Sequence, residues 1–256
     1  MTIFFFYDKK YLIMKEELKL NNIRSNLIRQ EETIIFSLIE RAQFGKNRIT
    51  YKKNGLPIIG ENIAFMLYLL KGTEKLHALV RRYTAPDEHP FTKDLPDPIL
   101  SPMKYEWPVK KTNININDKI LDIYINKIIP LICEKEDDGN YGSSSVNDII
   151  ALQALSKRIH YGKFVAESKY LSDIEGYKKI IMEKNEKKIL EKLTNKTVEQ
   201  NIIKRVELKA STYGQEPDVQ NPTFKIHPSI IKKIYEDYII PFTKEVELLY
   251  LLQRID

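Results

Sequence analysis

The chain lacks the residues from which several common classes of protein are built. Its 256 residues include a single cysteine, Cys133, so an internal disulfide framework and a thiolate metal site are both excluded. The four histidines, at positions 77, 89, 160 and 227, stand far apart and show no H-x-x-x-H spacing, which argues against a metal site. We therefore predict a cytoplasmic protein that contains neither a metal ion nor a disulfide.

Long apolar runs are also missing. No uninterrupted run approaches the roughly 18–20 residues that a membrane span needs. The run Ile3–Tyr7 is too short for the apolar core of a signal peptide, and no basic residue precedes it. We expect residues 1–17 to form a poorly ordered N-terminal extension, with Met14 as an alternative start, and residues 18–256 to form one domain without a membrane partner.

The charge balance has no strong concentration of one sign. The 41 Lys and Arg residues exceed the 35 Asp and Glu residues by a formal net charge of +6, and they are spread along the chain. A nucleic-acid-binding protein usually gathers its basic residues on one face or stripe. The distribution favours a small anionic ligand over DNA or RNA.

Glycine is scarce, at 9 residues, and the alternation typical of β-strands is hard to find. Apolar residues instead recur at the three-to-four-residue spacing of helices. This spacing predicts helices over approximately 18–44, 61–83, 117–134, 147–171, 175–194, 196–213 and 228–256. Pro130 and Pro241 should bend two of them. We predict an all-α, single-domain bundle of about ten to twelve helices.

Clear breaks separate these helices. Residues 85–107 hold five of the 12 prolines and predict an irregular connector. The segment 137–145, DDGNYGSSS, predicts a polar loop, and 213–228 predicts another. Asn117 and Asp118 are residue types that cap helices, so this pair is predicted to mark a helix start. The next helix is predicted to begin at Asn147 and Asp148.

Two cations lie on an apolar stripe of the helix predicted over 147–171. Arg158 and Lys169 are eleven residues apart, about three helical turns, and share their stripe with alanine, leucine, glycine and valine. Cations on such a face are costly unless an anion meets them. Internal carboxylates could pair with them, or their stems could extend to water. The small residues between them leave room for an external anion instead.

Polar side chains also interrupt apolar stripes on two later helices. Thr243 and Glu247 are one turn apart near the C-terminus, and Asn195 and Glu199 are one turn apart at the start of another helix. A surface pair and a helix cap beside a surface acid are the simpler explanations. Together with the two cations, these residues predict a helical pocket for a small dianion. Because neither a nucleophile–base pair nor a glycine-rich phosphate loop is evident, electrostatic and conformational control is favoured over covalent chemistry.

Several segments, in order from about residue 18 to the end, resemble the all-helical, allosteric chorismate mutases of the fungal type. The residues 152–169, LQALSKRIHYGKFVAESK, resemble the signature helix of that family. The other matching segments are Asn22-Ile23-Arg24, ETIIFSLIER at 32–41, Arg81-Arg82-Tyr83, Pro86-Asp87-Glu88, Thr194-Asn195, Val198-Glu199 and PFTKEVE at 241–247.

The resemblance implies a homodimer that rearranges chorismate to prephenate without a cofactor, in phenylalanine and tyrosine biosynthesis. It implies that Arg24 and Arg158 bind the two substrate carboxylates, for which a guanidinium fork is suited. Lys169 and Glu247 would donate hydrogen bonds to the ether oxygen. The remaining residues would have supporting roles: Glu199 at the substrate hydroxyl, Asn195 at a carboxylate, and Thr243 in the pocket wall.

The resemblance also implies inhibition by tyrosine and activation by tryptophan at a site shared between subunits. Five residues match its effector contacts: Arg81, Arg82, Asn140, Gly142 and Ser143. Two positions depart from the pattern. Val146 replaces a threonine, which removes a hydroxyl from the effector site. His227, before Pro228, replaces the family's switch threonine, so the regulatory balance is expected to shift or to depend on pH.

Two alternative functions stay open at this point. A protein with this fold could bind the ligand and lack catalysis, although every expected active-site position is filled. A helical scaffold or nucleic-acid-binding module would use the basic surface, and its binding would depend strongly on salt. That second alternative leaves the stripe of Arg158 and Lys169 unexplained.

Overall fold

The computed structural model describes residues 18–58, 62–103, 107–214 and 223–254. They form eight helices when segments that continue one another are joined, fewer than the ten to twelve that we predicted. The simple helices are α1 (Leu20–Arg41), α2 (Phe65–Leu79), α5 (Ile174–Met182), α6 (Glu186–Leu193) and α7 (Lys196–Tyr213). The joined helices are α3 (Asn117–Ile123, Tyr124–Ile128 and Ile129–Ile132), α4 (Tyr141–His160 and Gly162–Ser172) and α8 (Pro228–Ile234, Tyr235–Ile239 and Ile240–Leu252).

The helices enclose one hydrophobic core, as the apolar spacing predicted. In α1, Ile34 and Leu38 are buried four residues apart, and Ile23 is buried on the same face about three turns earlier. They pack with buried residues of the other helices. The long helix α4 runs through this core and packs against α1, α2 and α8. Within the described residues we find short 3-10 turns and one isolated β-bridge, between Lys53 and Ala64, besides the helices. The all-α prediction is therefore confirmed.

A π-helical turn stands before each of the two prolines that we expected to bend a helix. In α3 and α8, a π-helical turn directly precedes Ile129-Pro130 and Ile240-Pro241. The amide of Ile129 donates to the carbonyl of Tyr124, five residues back, and α8 repeats this bond. A widened turn makes space for the proline ring, which would otherwise clash with a carbonyl of the preceding turn. Both helices therefore continue past their proline.

Two predicted boundaries near α4 were wrong. The helix begins at Tyr141, so the second half of the predicted loop 137–145 is helical. Asp148 does not cap a helix start, because it lies within α4 and is fully buried. Similarly, the pair at 117–118 does not cap α3, where the side chain of Asn115 accepts from the amide of Asn117 instead.

A buried ion pair joins the end of α1 to α4. The Nε of Arg41 lies 2.5 Å from Oδ1 of Asp148, and both side chains are 0% exposed. The hydroxyls of Tyr51 and Tyr124 donate to the same carboxylate at 3.0 and 2.9 Å. Burial and the neighbouring carboxylate raise the pKa of both phenols, so they stay protonated donors. The remaining guanidinium protons meet, among others, the carbonyl of Gly45 at 2.9 Å.

No helix within the described residues is long and apolar enough to cross a membrane. No group of three or more His, Cys, Asp and Glu side chains that could hold a metal ion occurs within the same residues. The histidines at 89 and 160 do meet, with ring centroids 4.1 Å apart, although they are far apart in sequence. The amine of Lys163 lies 2.5 Å from Nε2 of His89, so this ring nitrogen already has a polar partner.

Removal of the Asp148 charge should destabilise the fold strongly. The substitution Asp148→Asn leaves the guanidinium of Arg41 buried without a counter-charge, so the free energy of unfolding should fall by about 3–5 kcal/mol. Urea unfolding at a fixed protein concentration measures this. Asp237→Asn is the matched control, because Asp237 forms an exposed pair with Lys233 on one helix face and should change stability little. Equal losses in both variants would contradict a structural role of the buried pair.

Candidate active site

A pocket of about 220 Å³ lies between α1, α4, α7 and α8. Its apolar lining includes Ile23, Leu27, Val165 and Ile202. The structure brings all seven predicted catalytic residues into its lining: Arg24, Arg158, Lys169, Asn195, Glu199, Thr243 and Glu247. These residues come from four helices that are distant in sequence, so only the fold assembles them.

Arg158 provides a buried guanidinium without a carboxylate partner. Its side chain comes from the middle of α4, and the residue is 2% exposed. Nη1 donates to Oγ1 of Thr243 at 3.3 Å, whereas Nε is buried without a hydrogen-bond partner in the described part of the chain. No Asp or Glu of the described residues forms an ion pair with it. Direct pairing with an internal carboxylate therefore does not explain this buried cation, which leaves it open to an anion.

Lys169, in contrast, does have an internal partner. Its amine lies 2.9 Å from Oε2 of Glu247 and also donates to the carbonyl of Leu193 at 2.7 Å. Burial raises the pKa of Glu247, which is 5% exposed, against the opposing effect of the nearby cations. Its Oε1 has no hydrogen-bond partner among the described residues and can carry a proton toward the pocket.

Close contact between α4 and α8 sets the positions of Thr243 and Glu247. A methyl group on Gly162 would lie 2.8 Å from the carbonyl oxygen of Thr243 and 3.4 Å from Cγ of Glu247. The first distance is shorter than real contacts of a Cβ atom, so the glycine allows the two helices to approach. The hydroxyl of Thr243 donates to the carbonyl of Ile239 at 2.7 Å, which orients its lone pairs toward Arg158.

Asn195 and Glu199 lie on the first turn of α7. Asn195 caps that helix, since its side-chain oxygen accepts from the amide of Val198 at 3.1 Å. For this oxygen, the interpretation as a helix cap is therefore correct. Its amide nitrogen has no partner among the described residues and is available to a ligand. Glu199 is not a free surface acid, because the amine of Lys244 lies 2.6 Å away.

Lys244 is a pocket residue that the sequence analysis did not identify. It follows Thr243 directly, and its position off the apolar stripe gave no signal. With Arg24, Arg158 and Lys169 it places four cations in the lining, against the carboxyl groups of Glu199 and Glu247. The positive charges exceed the negative ones by two when Glu247 is ionised and by three when it is protonated, so the pocket suits an anion with more than one charge. Arg24 is exposed and has no hydrogen bond or ion pair within the described residues, so it too is available to an anion.

The five residues expected to bind effectors do not come together within one chain. Arg82 lies beyond the end of α2, where it bonds to Glu88 at 2.9 Å and to Gln153 of α4 at 2.8 Å. Arg81 donates to the carbonyl of Ser101. Asn140, Gly142 and Ser143 lie at the start of α4, about twelve residues and ~18 Å along the helix from Gln153.

The two positions that depart from the family pattern are both on the surface. Val146 is 51% exposed on α4. His227 caps α8, because its Nδ1 accepts from the amide of Ser229 at 3.3 Å and lies 2.7 Å from the hydroxyl of the same residue. The imidazole can therefore fill the capping role of a threonine at this position.

The fold and the pocket define an all-helical protein with a cation-rich site for a small dianion. Comparisons identify the family. The model of type II chorismate mutases matches residues 141–248. A chorismate mutase of Schizosaccharomyces pombe is 48% identical over 248 residues, 95% of this chain and 99% of that protein. Chorismate mutase 1 of Arabidopsis thaliana, named as chloroplastic, is 45% identical over 97% of this chain and 78% of its own length.

Solved structures agree with this result. The chorismate mutase of Candida albicans in complex with L-Trp has a TM-score of 0.90 and 44% identity, over 94% of this chain and 93% of that one. AtCM1 with tyrosine in its allosteric site has a TM-score of 0.87 and 48% identity, over 94% and 98% of the two chains. This chain belongs to the chorismate mutase family, whose members rearrange chorismate to prephenate for aromatic amino acid biosynthesis.

Proposed function

We propose that the pocket binds chorismate in its compact diaxial form and that Arg24 and Arg158 hold its two carboxylates. The observation that carries this proposal is the buried guanidinium of Arg158, which has no carboxylate within ion-pair distance among the described residues. A substrate carboxylate would supply that charge, and a planar guanidinium fork binds it in one orientation. Restraint of the compact form brings the two reacting ends together, so the pericyclic step needs no covalent intermediate.

Lys169 and Glu247 would stabilise the ether oxygen, on which negative charge grows as the carbon–oxygen bond breaks. Their contact at 2.9 Å supports a shared task, with the amine and a protonated carboxyl group donating from adjacent positions. Glu199, held by Lys244 at 2.6 Å, would accept from the substrate hydroxyl. Asn195 would donate its free amide protons to a carboxylate, and Thr243 would fix the guanidinium of Arg158.

Loss of the Arg158 charge should abolish turnover. Purified protein without added cofactor should consume chorismate, seen as loss of its ultraviolet absorbance, and Arg158→Ala should lower kcat/KM by roughly 100-fold or more. Arg48→Ala, at a 51% exposed side chain remote from the pocket, is the control and should keep full activity. If folded wild-type protein shows no turnover between about pH 5 and pH 8, the chain is instead a ligand-binding or regulatory protein on this fold.

The protonated form of Glu247 should give the reaction a defined pH dependence. Burial raises the pKa of this carboxyl group, so it stays protonated to higher pH than an ordinary glutamate and loses its proton as the pH rises further. We expect kcat to fall as the pH rises through this pKa, and we expect Glu247→Gln, which always donates, to flatten the profile. A wild-type profile that is flat between about pH 5 and pH 9 would exclude this role.

We also propose that the protein is a homodimer, inhibited by tyrosine and activated by tryptophan. Exposed apolar side chains on the neighbouring helices α2 and α4 support a subunit interface: Leu76, Val80, Val146 and Ile150 are 67%, 55%, 51% and 49% exposed. An effector site that joins Arg81 and Arg82 of one subunit to Asn140, Gly142 and Ser143 of the other fits their separation within one chain. L-Trp and tyrosine occupy sites in the solved relatives.

A charge in this apolar surface should separate the subunits. Sedimentation velocity should give a dimer for the wild type and a monomer for Ile150→Glu, because the carboxylate would lose its hydration in the interface. Leu208→Glu, at a 67% exposed position on α7, is the matched control and should stay dimeric. Tyrosine inhibition should be lost together with the dimer. A monomeric wild type would refute both the interface and a shared effector site.

The cytoplasmic location also stays a prediction. It rests on the single cysteine, which fits a reducing compartment. Localisation of a tagged full-length protein would test it, since the plant relatives of similar sequence are named as chloroplastic.

A further inference from the structure

A second cleft, of about 650 Å³, lies on the other flank of α1. Ile23, Arg24 and Leu27 face the active-site pocket, whereas Asn26 and Gln30 line this cleft. At about 100° per residue, the mean directions of the two sets differ by roughly 90°, so they lie on different sides of the helix. The cleft is therefore a separate space, bounded by α1, α4 and the connector after α2.

The side-chain oxygen of Gln30 is a buried acceptor in this cleft. Gln30 is 6% exposed and lines the cleft, and its Oε1 is buried without a hydrogen bond to the described residues. Buried amide oxygens almost always accept a hydrogen bond, because an unpaired one keeps the full penalty of lost hydration. An unpaired acceptor on a residue of the cleft lining points to a ligand that brings a donor.

The charges of the cleft leave one cation uncompensated. Lys157 lies 2.6 Å from Glu88 and 3.4 Å from Asp87, and Arg82 lies 2.9 Å from Glu88. These four side chains balance one another. Arg29 also lines the cleft, is exposed and forms no ion pair within the described residues. The available charge thus suits a single carboxylate on the ligand.

Aromatic side chains form the remaining wall. The rings of Tyr161 and Phe164 stack with centroids 4.5 Å apart, and Trp107 lines the same cleft. The hydroxyl of Tyr161 accepts from the amide of Asn26 at 3.0 Å, which fixes the ring against α1. Such a wall offers flat apolar surface to another ring.

We propose that this cleft binds a small aromatic carboxylic acid that carries a hydroxyl group. Its ring lies against Tyr161 and Phe164, its carboxylate meets Arg29, and its hydroxyl donates to Oε1 of Gln30. The site is distinct from the expected effector site, since Arg81, Asn140, Gly142 and Ser143 do not line it. Arg82 borders the cleft, but its charge is already neutralised there by Glu88.

The chain offers a specific reporter for this site, because Trp107 is its one tryptophan. Titration of the wild type with 3-(4-hydroxyphenyl)propionate should change tryptophan fluorescence in a saturable way. The analogue 3-phenylpropionate, which lacks the donor, should bind roughly five- to tenfold more weakly, as expected for the loss of one hydrogen bond. Absence of a saturable change with the hydroxylated acid at millimolar concentration would refute the site.

Substitutions then connect each ligand group to its residue. In Gln30→Leu, the preference for the hydroxylated acid should disappear, because only that acid uses the acceptor and loses its hydrogen bond. Arg29→Gln should weaken both acids by a similar factor, whereas Lys178→Gln, which removes an exposed charge from α5, should weaken neither. If the preference for the hydroxyl survives in Gln30→Leu, the proposed contact is wrong.

Two further variants separate this cleft from the other sites of the protein. Arg158→Ala disables the proposed substrate site, and Arg81→Ala disables the expected effector site. Both should retain the fluorescence titration with an unchanged Kd. Loss of the signal in either variant would mean that the acid binds at that other site, and would overturn the proposal. The measurement needs no turnover, so its failure is distinguishable from a failure of the proposed function.

Discussion

The ion pair between Arg41 and Asp148 is the contact on which the geometry of the site depends. It joins the end of α1 to α4 at a place where neither charge reaches water. Removal of two charges from water is costly, and the cost is offset only when every donor and acceptor is satisfied. Here two phenols and several backbone carbonyls complete the set. Because such an arrangement tolerates few alternatives, it fixes the relative position of the helices that carry Arg24 and Arg158.

The charged side chains of the pocket are of two kinds: some form ion pairs with one another, and others do not. Lys169 with Glu247, and Lys244 with Glu199, are oriented before any ligand arrives. Preorganised donors of this kind suit the transition state, since they need not rearrange as charge develops. Arg158 and Arg24 lack such partners. They suit groups that are charged throughout the reaction, as the carboxylates of a dianion are.

The sequence pattern was sufficient to identify the cations and carboxyl groups that interrupt apolar stripes. Helical spacing alone places Arg158 and Lys169 on one helix face, and Thr243 and Glu247 on another. The sequence pattern was misleading where the same residue type can either cap a helix or form a buried ion pair. Asn147 and Asp148 have the composition of a helix cap, yet the carboxylate of Asp148 pairs with a residue 107 positions away. Lys244 was missed for a related reason. A lysine off the apolar stripe looks like a solvated residue until the neighbouring helix supplies Glu199.

The π-helical turn in α8 has a consequence for how this helix is divided. Five residues per hydrogen-bonded ring in place of four amount to one extra residue in the spiral, which turns everything beyond it by about 100°. The half before Ile239 packs against α7, and the half beyond it packs against α4 and carries Thr243 and Glu247. One continuous helix thus packs against two neighbouring helices, each through a differently oriented face. The extra residue in the π-helical turn rotates the second half of α8 relative to the first. The side chains that pack against α7 and those that line the pocket beside α4 can therefore point in directions that one regular α-helix would not allow.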